Sequence, residues 1–448
     1  VMARMENEWR KLEQAARERQ ILEMRHHIEI DALTGVYNRE AFYEKTVELL
    51  QQNRSVRYNI LYFDINCFKI INDLFHIETG NLILKTAGTY FKTITEGIGV
   101  AAHMEADHFA ICMPEDMLDI DILLEGIDSA IFSLGIKNNI LFYPGIYPVD
   151  DILVPVNQMC DRAHMALNTV KGLYKKRYAY YDEKMRETLL EEQMLLREME
   201  QALSSGQFCV YYQPIYSIKA GRAVSAEALV RWRHPKRGVI PPVRFVPLFE
   251  RNGFVVRLDR FAWEEVCRML AERIREGLPV VPVSVNVSRL NFYDNDFCDT
   301  VVGLLQKYGL DPSLLRLEIT ESAYTDNPVQ LLSVLKRLHD IGLTILMDDF
   351  GSGYSSLNML KNVTVDILKI DMGFVQNLED SERAPTILRR VVEMAHDLKM
   401  SVVVEGVETK AQIDFLAGID CDKIQGYYFA KPMAREDFTA LIEKEAES

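Results

Sequence analysis

Residues 343–349 read LTILMDD, a mostly apolar run that ends in two aspartates and lies between Gly342 and Gly351. A short apolar run bounded by turn formers reads as a buried strand. Its two aspartates then stand on the rim of whatever sheet buries the run. The same pattern recurs on both sides. Strand-like runs are FCVYYQPIY (208–216), AVSAEALVRW (223–232), VVPVSVNVS (280–288), LLRLEIT (314–320), VDILKID (365–371), SVVVEGV (401–407) and DKIQGYYF (422–429). Most are separated by a stretch of helical pattern or loop. Eight such units within 206–448 predict a (β/α)8 TIM-like barrel.

Polar residues sit near the end of almost every predicted strand: Glu227, Asn286, Glu318, Asp348 with Asp349, Lys369 with Asp371, Glu405, and Gln425. Any one of them reads as a solvated loop residue or a helix cap. Together they carry a stronger message, because the strand ends of a closed barrel converge on one rim. Glu227, Glu318, Asp348, Asp349 and Glu405 would crowd five carboxylates around one opening, and their repulsion demands cations. Hard oxygen donors without a Cys or His cluster favour Mg²⁺ or Mn²⁺ over zinc. So many carboxylates predict two ions, an arrangement suited to in-line attack on phosphorus. Lys369 reaches the same rim, where it would orient water or offset developing charge.

Upstream, residues 182–205 are a strongly periodic helix with a Ser-Ser-Gly stop and are read as a connector. Residues 31–181 alternate strand-like runs (NILYFDI, FAICM, LFYPGIY) with helical stretches, which predicts one α/β domain. Residues 1–30 are rich in Glu, Arg and Gln, with Met2, Met5, Trp9, Leu12 and Ala16 at 3–4 spacing. Two readings of this segment stand: a solvated amphipathic helix on its own domain, or a dimerising signal helix.

A length of 448 residues favours more than one domain. A net charge of −15 speaks against a binder of nucleic-acid polymers. Seven dispersed cysteines without a C-x-x-C pair fit buried thiols in a reducing cytosol. The start VMARMENEW lacks the apolar core of a signal peptide. The leading Val suggests a fragment whose upstream sensor domain, with any membrane tether, is missing.

The motif series EALVRWRHP, SVNVS, LEITES, DDFGSGYSSL, LKID, VEGVET and QGYYFAKP resembles that of the EAL family of cyclic di-GMP phosphodiesterases, over roughly 186–445. The resemblance implies hydrolysis of cyclic di-GMP to linear 5′-pGpG by two divalent metals. It implies that Glu227, Asn286, Glu318 and Asp348 hold one metal, that Asp348, Asp349 and Glu405 hold or adjoin the other, and that Lys369 contacts the attacking water. Gln213, Leu229 and Arg231 would meet the dinucleotide, together with Asp349, and Gln425 would support the site. Glu321 would anchor the loop 350–357, with Asp371 and Glu408 as supporting residues behind the ligands.

The first domain resembles the GGDEF diguanylate cyclase family through DALTGVYNR (31–39) and FDINCFKIINDLFHIETGN (63–81). HMEADHF (103–109) falls where that family has R-x-G-G-D-E-F. Glu105 and Ala106 replace the glycines that let backbone approach phosphates, and His108 replaces an acid. Asn81 stands where the family has Asp, and EGIG (96–99) stands where it has R-x-x-D. Cyclase activity is therefore not expected. His103 and His108, five apart, would point to opposite faces of a strand, so a transition-metal site is not expected either. Asp64, Lys69, Asn72 and Asp107 match family positions, leaving two readings: a vestigial GTP pocket with a regulatory role, or a ligand-free dimerisation and relay module. The whole reads as a cytoplasmic, dimeric, metal-dependent phosphodiesterase with a degenerate cyclase-like domain. Its rival is a receptor that binds cyclic di-GMP without cleaving it.

Overall fold

The computed structural model describes residues 29–136, 140–173, 176–320, 323, 328–351, 360, 363–376, 378 and 383–447. Nearly all of the helix expected over 1–30, Glu321, and most of the 350–357 loop lie outside the described residues. The described chain divides at Glu191 into two compact units.

The first unit is a five-stranded sheet in the order β2-β3-β1-β4-β5, with β1 at Tyr58–Ile65, β2 at Val100–Glu105, β3 at His108–Pro114, β4 at Phe142–Pro148 and β5 at Ala179–Tyr180. Period-two alternation gives β1 two apolar faces. Leu61, Phe63 and Ile65 pack with Phe91 and Ile127 from α2 (Phe68–Thr95) and α3 (Ile120–Phe132). Ile60 and Tyr62 pack on the other side with Phe42 and Ala163 from α1 (Arg39–Gln52) and α4 (Val156–Asn168). Asp64 continues this second face and is buried there.

The stretch HMEADHF holds the turn that the resemblance implies, and its first half belongs to a strand that the sequence reading did not separate. It is a hairpin: His103 lies on β2, His108 on β3, and Ala106-Asp107 turn between them. His103 pairs across the ladder with Phe109, so it still shares the face opposite His108. Ala106 keeps the positive φ of 48° that a glycine would adopt freely.

In the second unit eight strands close on themselves: β6 (Phe208–Ser217), β7 (Ala223–His234), β9 (Val283–Asn286), β10 (Leu315–Thr320), β11 (Thr344–Phe350), β12 (Ile367–Ile370), β13 (Ser401–Val404) and β14 (Lys423–Ile424). The short β8 (Gly238–Ile240) adds outside β7. One strand departs from an all-parallel barrel. β6 runs antiparallel to both neighbours, because residues 218–222 are too few for a crossover helix and permit only a hairpin. Outside the ring lie α6 (Pro242–Asn252), α7 (Val255–Arg275), α8 (Phe297–Tyr308), α9 (Pro328–Ile341), α10 (Ala384–Asp397), α11 (Lys410–Gly418) and α12 (Arg435–Glu447). Leu195 and Ala202 of the preceding α5 (Glu183–Ser204) are buried with Phe208, Trp232 and Phe249. Among the described residues, no helix is long and apolar enough to cross a membrane.

Candidate active site

Side chains that point into the barrel are stacked in layers, two residues apart along each strand. Ile215, Leu346, Ile367 and Val403 form an apolar plug. Two positions along the same strands stand Gln213, Asp348, Lys369 and Glu405. Parallel pairing sets Glu318 of β10 beside Asn286 of β9, and antiparallel pairing sets Gln213 opposite Glu227. The strand ends read from the sequence therefore arrive in one layer.

Lys369 is its centre. Its side chain is 1% exposed, and Nζ lies 3.2 Å from Glu227 Oε2, 3.0 Å from Glu318 Oε2, 3.1 Å from Asp348 Oδ1 and 2.6 Å from Glu405 Oε1. Burial works against a charged lysine, but the surrounding carboxylates outweigh it and hold the ammonium well above its ordinary pKa. Burial, reinforced by Glu227, pushes Glu318 well above the carboxylate range against the pull of Lys369. Burial also lifts Glu405 to about 7. Glu227 goes the other way: Lys369 and hydrogen bonds from Gln425 and Asn286 overcome its burial and lower its pKa.

The amides complete the layer. Gln425 Nε2 donates to Glu227 Oε2 at 2.7 Å and to Gln213 Oε1 at 3.1 Å, while Gln213 Nε2 donates to the Ala430 carbonyl at 3.3 Å. Asn286 Nδ2 donates to Glu227 Oε1 at 3.3 Å. Asp349 would alternate away from this layer on a regular strand. A register shift in β11 and a φ of 57° at Asp349 interrupt the alternation. Burial and the neighbouring Asp348 raise its pKa.

A cation fits this donor set. Glu227, Glu318 and Asp348 each offer an oxygen within 4.8 Å of the others. Glu318 Oε1 and Asp348 Oδ1 are buried without a hydrogen bond, and so is Gln425 Oε1. Asp348 Oδ1 lies at ion-pair distance from Lys369 yet lacks hydrogen-bond geometry. Unsatisfied buried oxygens are costly, and hard cations consume them.

The layer opens into a cavity of about 260 Å³ lined by Gln213, Leu229, Asp348, Glu405 and Tyr427, among others. A second cavity, of about 410 Å³, shares Glu227 and Leu229 and runs past Asn286 to Glu250 and Asp259. Arg231, one alternation beyond Leu229, is half-buried, donates to the Val230 carbonyl at 2.9 Å and lies over the Tyr211 ring. Asp371 accepts from the Gly373 amide at 2.8 Å, and the exposed Glu408 lines the smaller cavity. Glu321 lies outside the described residues. Sequence reasoning missed Asp259, a buried acid on the apolar stripe Val255, Leu258, Ala262, Trp263 of α7. A charged residue on such a stripe is the signal that could have found it.

In the first unit, Asp64, Asp107 and His108 bring ligand-type atoms within 4.8 Å of one another. His108 Nε2 lies 3.1 Å and Lys171 Nζ 2.5 Å from Asp64 Oδ2. Burial opposes ionisation of Asp64, and these two partners reverse the effect to lower its pKa. Glu105, in the turn, pairs with Arg39 at 2.6 Å. Asn72 stands against Gly80, where an added Cβ would meet its Oδ1. Lys69 is exposed on α2.

Fold and site together define an α/β barrel with an acidic mouth whose carboxylates could hold a cation, following an α/β sheet domain. The chain belongs to the EAL domain family, whose description matches residues 196–432, and residues 28–172 match the diguanylate cyclase GGDEF domain. Cyclic di-GMP phosphodiesterase NbdA of Pseudomonas aeruginosa is 31% identical over 420 residues, covering 91% of this chain and 53% of that protein. Bifunctional diguanylate cyclase/cyclic di-GMP phosphodiesterase MucR of the same organism is 29% identical over 425 residues, 92% of this chain and 61% of that protein. This chain thus spans little more than half the length of these relatives. The solved phosphodiesterase of MucR in complex with c-di-GMP is 36% identical with a TM-score of 0.52, covering 55% of this chain and 99% of that one.

Proposed function

We propose that this chain cleaves one phosphodiester of cyclic di-GMP to give linear 5′-pGpG, and that it needs two divalent ions, Mg²⁺ or Mn²⁺, to do so. The observation that carries the reading is the ring of Glu227, Glu318, Asp348 and Glu405 around a fully buried lysine, with two of its carboxylate oxygens unsatisfied. Glu227, Asn286, Glu318 and Asp348 would hold one ion, and Asp348, Asp349 and Glu405 the other. The ions supply an activated water and charge stabilisation for the leaving oxygen. The remaining work falls to the chain itself. Lys369 holds the carboxylates together before cations arrive, and its ammonium then faces the attacking water and the phosphoryl oxygens. Gln425 and Asn286 fix the orientation of Glu227. Gln213, Leu229, Arg231 and Asp349 bind the dinucleotide, whose two negative phosphates match a cation-loaded mouth. Asp371 and Glu408 support this layer, and Glu321 anchors the loop at 350–357.

The reading places a signal helix at 1–30, a degenerate cyclase-like domain at 31–181, a connector at 182–205 and the phosphodiesterase at 206–448. The chain would act as a cytoplasmic homodimer, with GTP in the pocket of Asp64, Lys69, Asn72 and Asp107 as a regulator. Loss of synthesis is supported by Lys171 and His108 on Asp64 and by the Glu105–Arg39 pair, which replace cations and open backbone with internal partners. Incubation with cyclic di-GMP and Mg²⁺ or Mn²⁺, followed by chromatography of the nucleotides, tests the reading. Accumulation of pGpG is expected. Tight binding without product would establish a receptor instead.

A further inference from the structure

The strand that carries Asn286 is four residues long, and three consecutive residues at its exit are pinned one by one. The Asn286 carbonyl accepts from Trp263 Nε1 at 3.0 Å, the Val287 amide donates to the Glu318 carbonyl at 2.9 Å, and the Ser288 amide donates to Asp259 Oδ2 at 2.9 Å. The same Asp259 oxygen accepts from Asn291 Nδ2 at 2.6 Å, and Ser288 Oγ donates to Glu250 Oε1 at 3.2 Å. Asp259 and Trp263 lie one turn apart on α7, so they share a face, and both are buried, at 8% and 1% exposure. Among the described residues Asp259 has no salt bridge, and a buried carboxylate held that way is an expensive means to hold a loop. Burial raises its pKa to about 7, against the hydrogen bonds from Ser288 and Asn291. A residue that costs the fold something and, among the described residues, grips only the segment that leaves β9 is explained by what that exit carries.

We propose that Asp259, with Trp263, is a positioning residue that fixes the backbone of Asn286 so that its amide meets Glu227 and the cation these two would share. This rests on the assignment of Asn286 and Glu227 as metal ligands. The Asn286 contact to Glu227 is long, at 3.3 Å, so the amide is aimed by its backbone more than by that bond. Groups that orient ligands from behind typically cost ten- to a hundredfold in metal affinity when replaced.

The test uses the full chain and equilibrium Mn²⁺ binding followed by electron paramagnetic resonance, without substrate. Asp259→Asn removes the charge with little change in shape, and Trp263→Phe removes the indole donor. Both should raise the Mn²⁺ dissociation constant, by roughly ten- to a hundredfold for Asp259→Asn. Their stabilities should move apart. Asp259→Asn should melt at or above the wild-type temperature at pH 8, where the buried charge is otherwise present, and Trp263→Phe below it. Excess Mn²⁺ should restore kcat of Asp259→Asn, with KM for cyclic di-GMP near wild type. Wild-type Mn²⁺ affinity in both variants overturns the proposal, and so does a loss of affinity confined to the variant that melts lower. A wild-type chain that binds no Mn²⁺ overturns the metal-site reading itself, a separate outcome.

Discussion

Lys369→Met tests the central claim about the site, that one lysine does the work of a cation until cations arrive. The methionine side chain roughly matches the lysine stem and removes only the ammonium. At an effective dielectric constant of 20, each ion pair at about 3 Å is worth on the order of 5 kcal/mol before desolvation is counted. Desolvation cancels much of this, and removing one partner of a buried ion pair costs about 3–5 kcal/mol net. For a domain of this size that is a fall in Tm of roughly 6–20 °C. The loss should depend on pH. Glu405 has a folded-state pKa of about 7, above its unfolded value, so it binds protons more readily in the folded state. A group of this kind contributes stability that is lost as pH rises from the unfolded pKa through the folded one. Without the ammonium its pKa rises further, so the variant should lose more at pH 8 than at pH 5. The assay is calorimetric melting after chelation, then again with Mn²⁺. Cations supply the missing charge, so saturating Mn²⁺ should close most of the gap. Hydrolysis should remain severely impaired. A chelated variant that melts within about 2 °C of wild type at pH 8 would refute the claim that Lys369 neutralises this ring.

Asp348→Ala should abolish hydrolysis while circular dichroism shows an intact fold, since it removes a shared ligand and relieves crowding; near-normal turnover would sink the two-ion assignment. Given GTP and Mg²⁺, the chain should make no cyclic di-GMP even with Glu227→Ala present to protect any product, and steady synthesis detected by chromatography would reverse the reading of the turn at 103–109. Glu321→Ala should lower the rate about a hundredfold with little change in melting, if that carboxylate holds the loop after Asp349 in place; full activity would remove the loop-anchor role. Asp259, buried with a folded pKa near 7, should make the wild-type chain lose on the order of 4 kcal/mol of stability between about pH 4 and pH 7, a slope that Asp259→Asn should flatten in denaturant titrations.

The barrel was legible because each of its eight strands is a short apolar run, and because the candidate site residues stand at strand ends. Period-two alternation does the rest: once Leu346, Ile367 and Val403 point inward, Asp348, Lys369 and Glu405 must follow. The direction of β6 was also within reach. Only five residues link it to β7, which forces a hairpin. What the pattern could not give is the surroundings of Lys369. Spacing puts it at the rim, but only three-dimensional closure shows that four carboxylates from four other strands converge on its nitrogen. Asp349 is a second case. Alternation alone would turn it away from Asp348, and only the register shift and left-handed φ of that residue alter the outcome.

The first unit shows where local reading fails. VAAHME has too little β-branched content to stand out as a strand, so the turn at HMEADHF is legible while the strand that leads into it is not. The missing strand matters chemically. His103 and His108 lie on opposite faces across the hairpin, as they would along one strand, and they serve different partners. His103 Nδ1 lies 3.2 Å from Asp31 and its ring lies on Phe109, while His108 faces Asp64. Residues of the turn and of the strand beside it find partners that a sequence pattern cannot show: Glu105 takes Arg39, and Asp64 takes His108 and Lys171, the latter from a segment far along the chain. Read one at a time, Glu105, Ala106 and His108 are losses. Glu105 pairs with Arg39, and Asp64 with His108 and Lys171, and a cluster that supplies its own counter-charges has less to gain from a nucleotide or its metal. Relieving that self-pairing, by Glu105→Gly with His108→Glu, should therefore raise Mg²⁺-dependent GTP affinity over wild type in equilibrium dialysis. Unchanged affinity would mean that the internal pairs are not what closes the site.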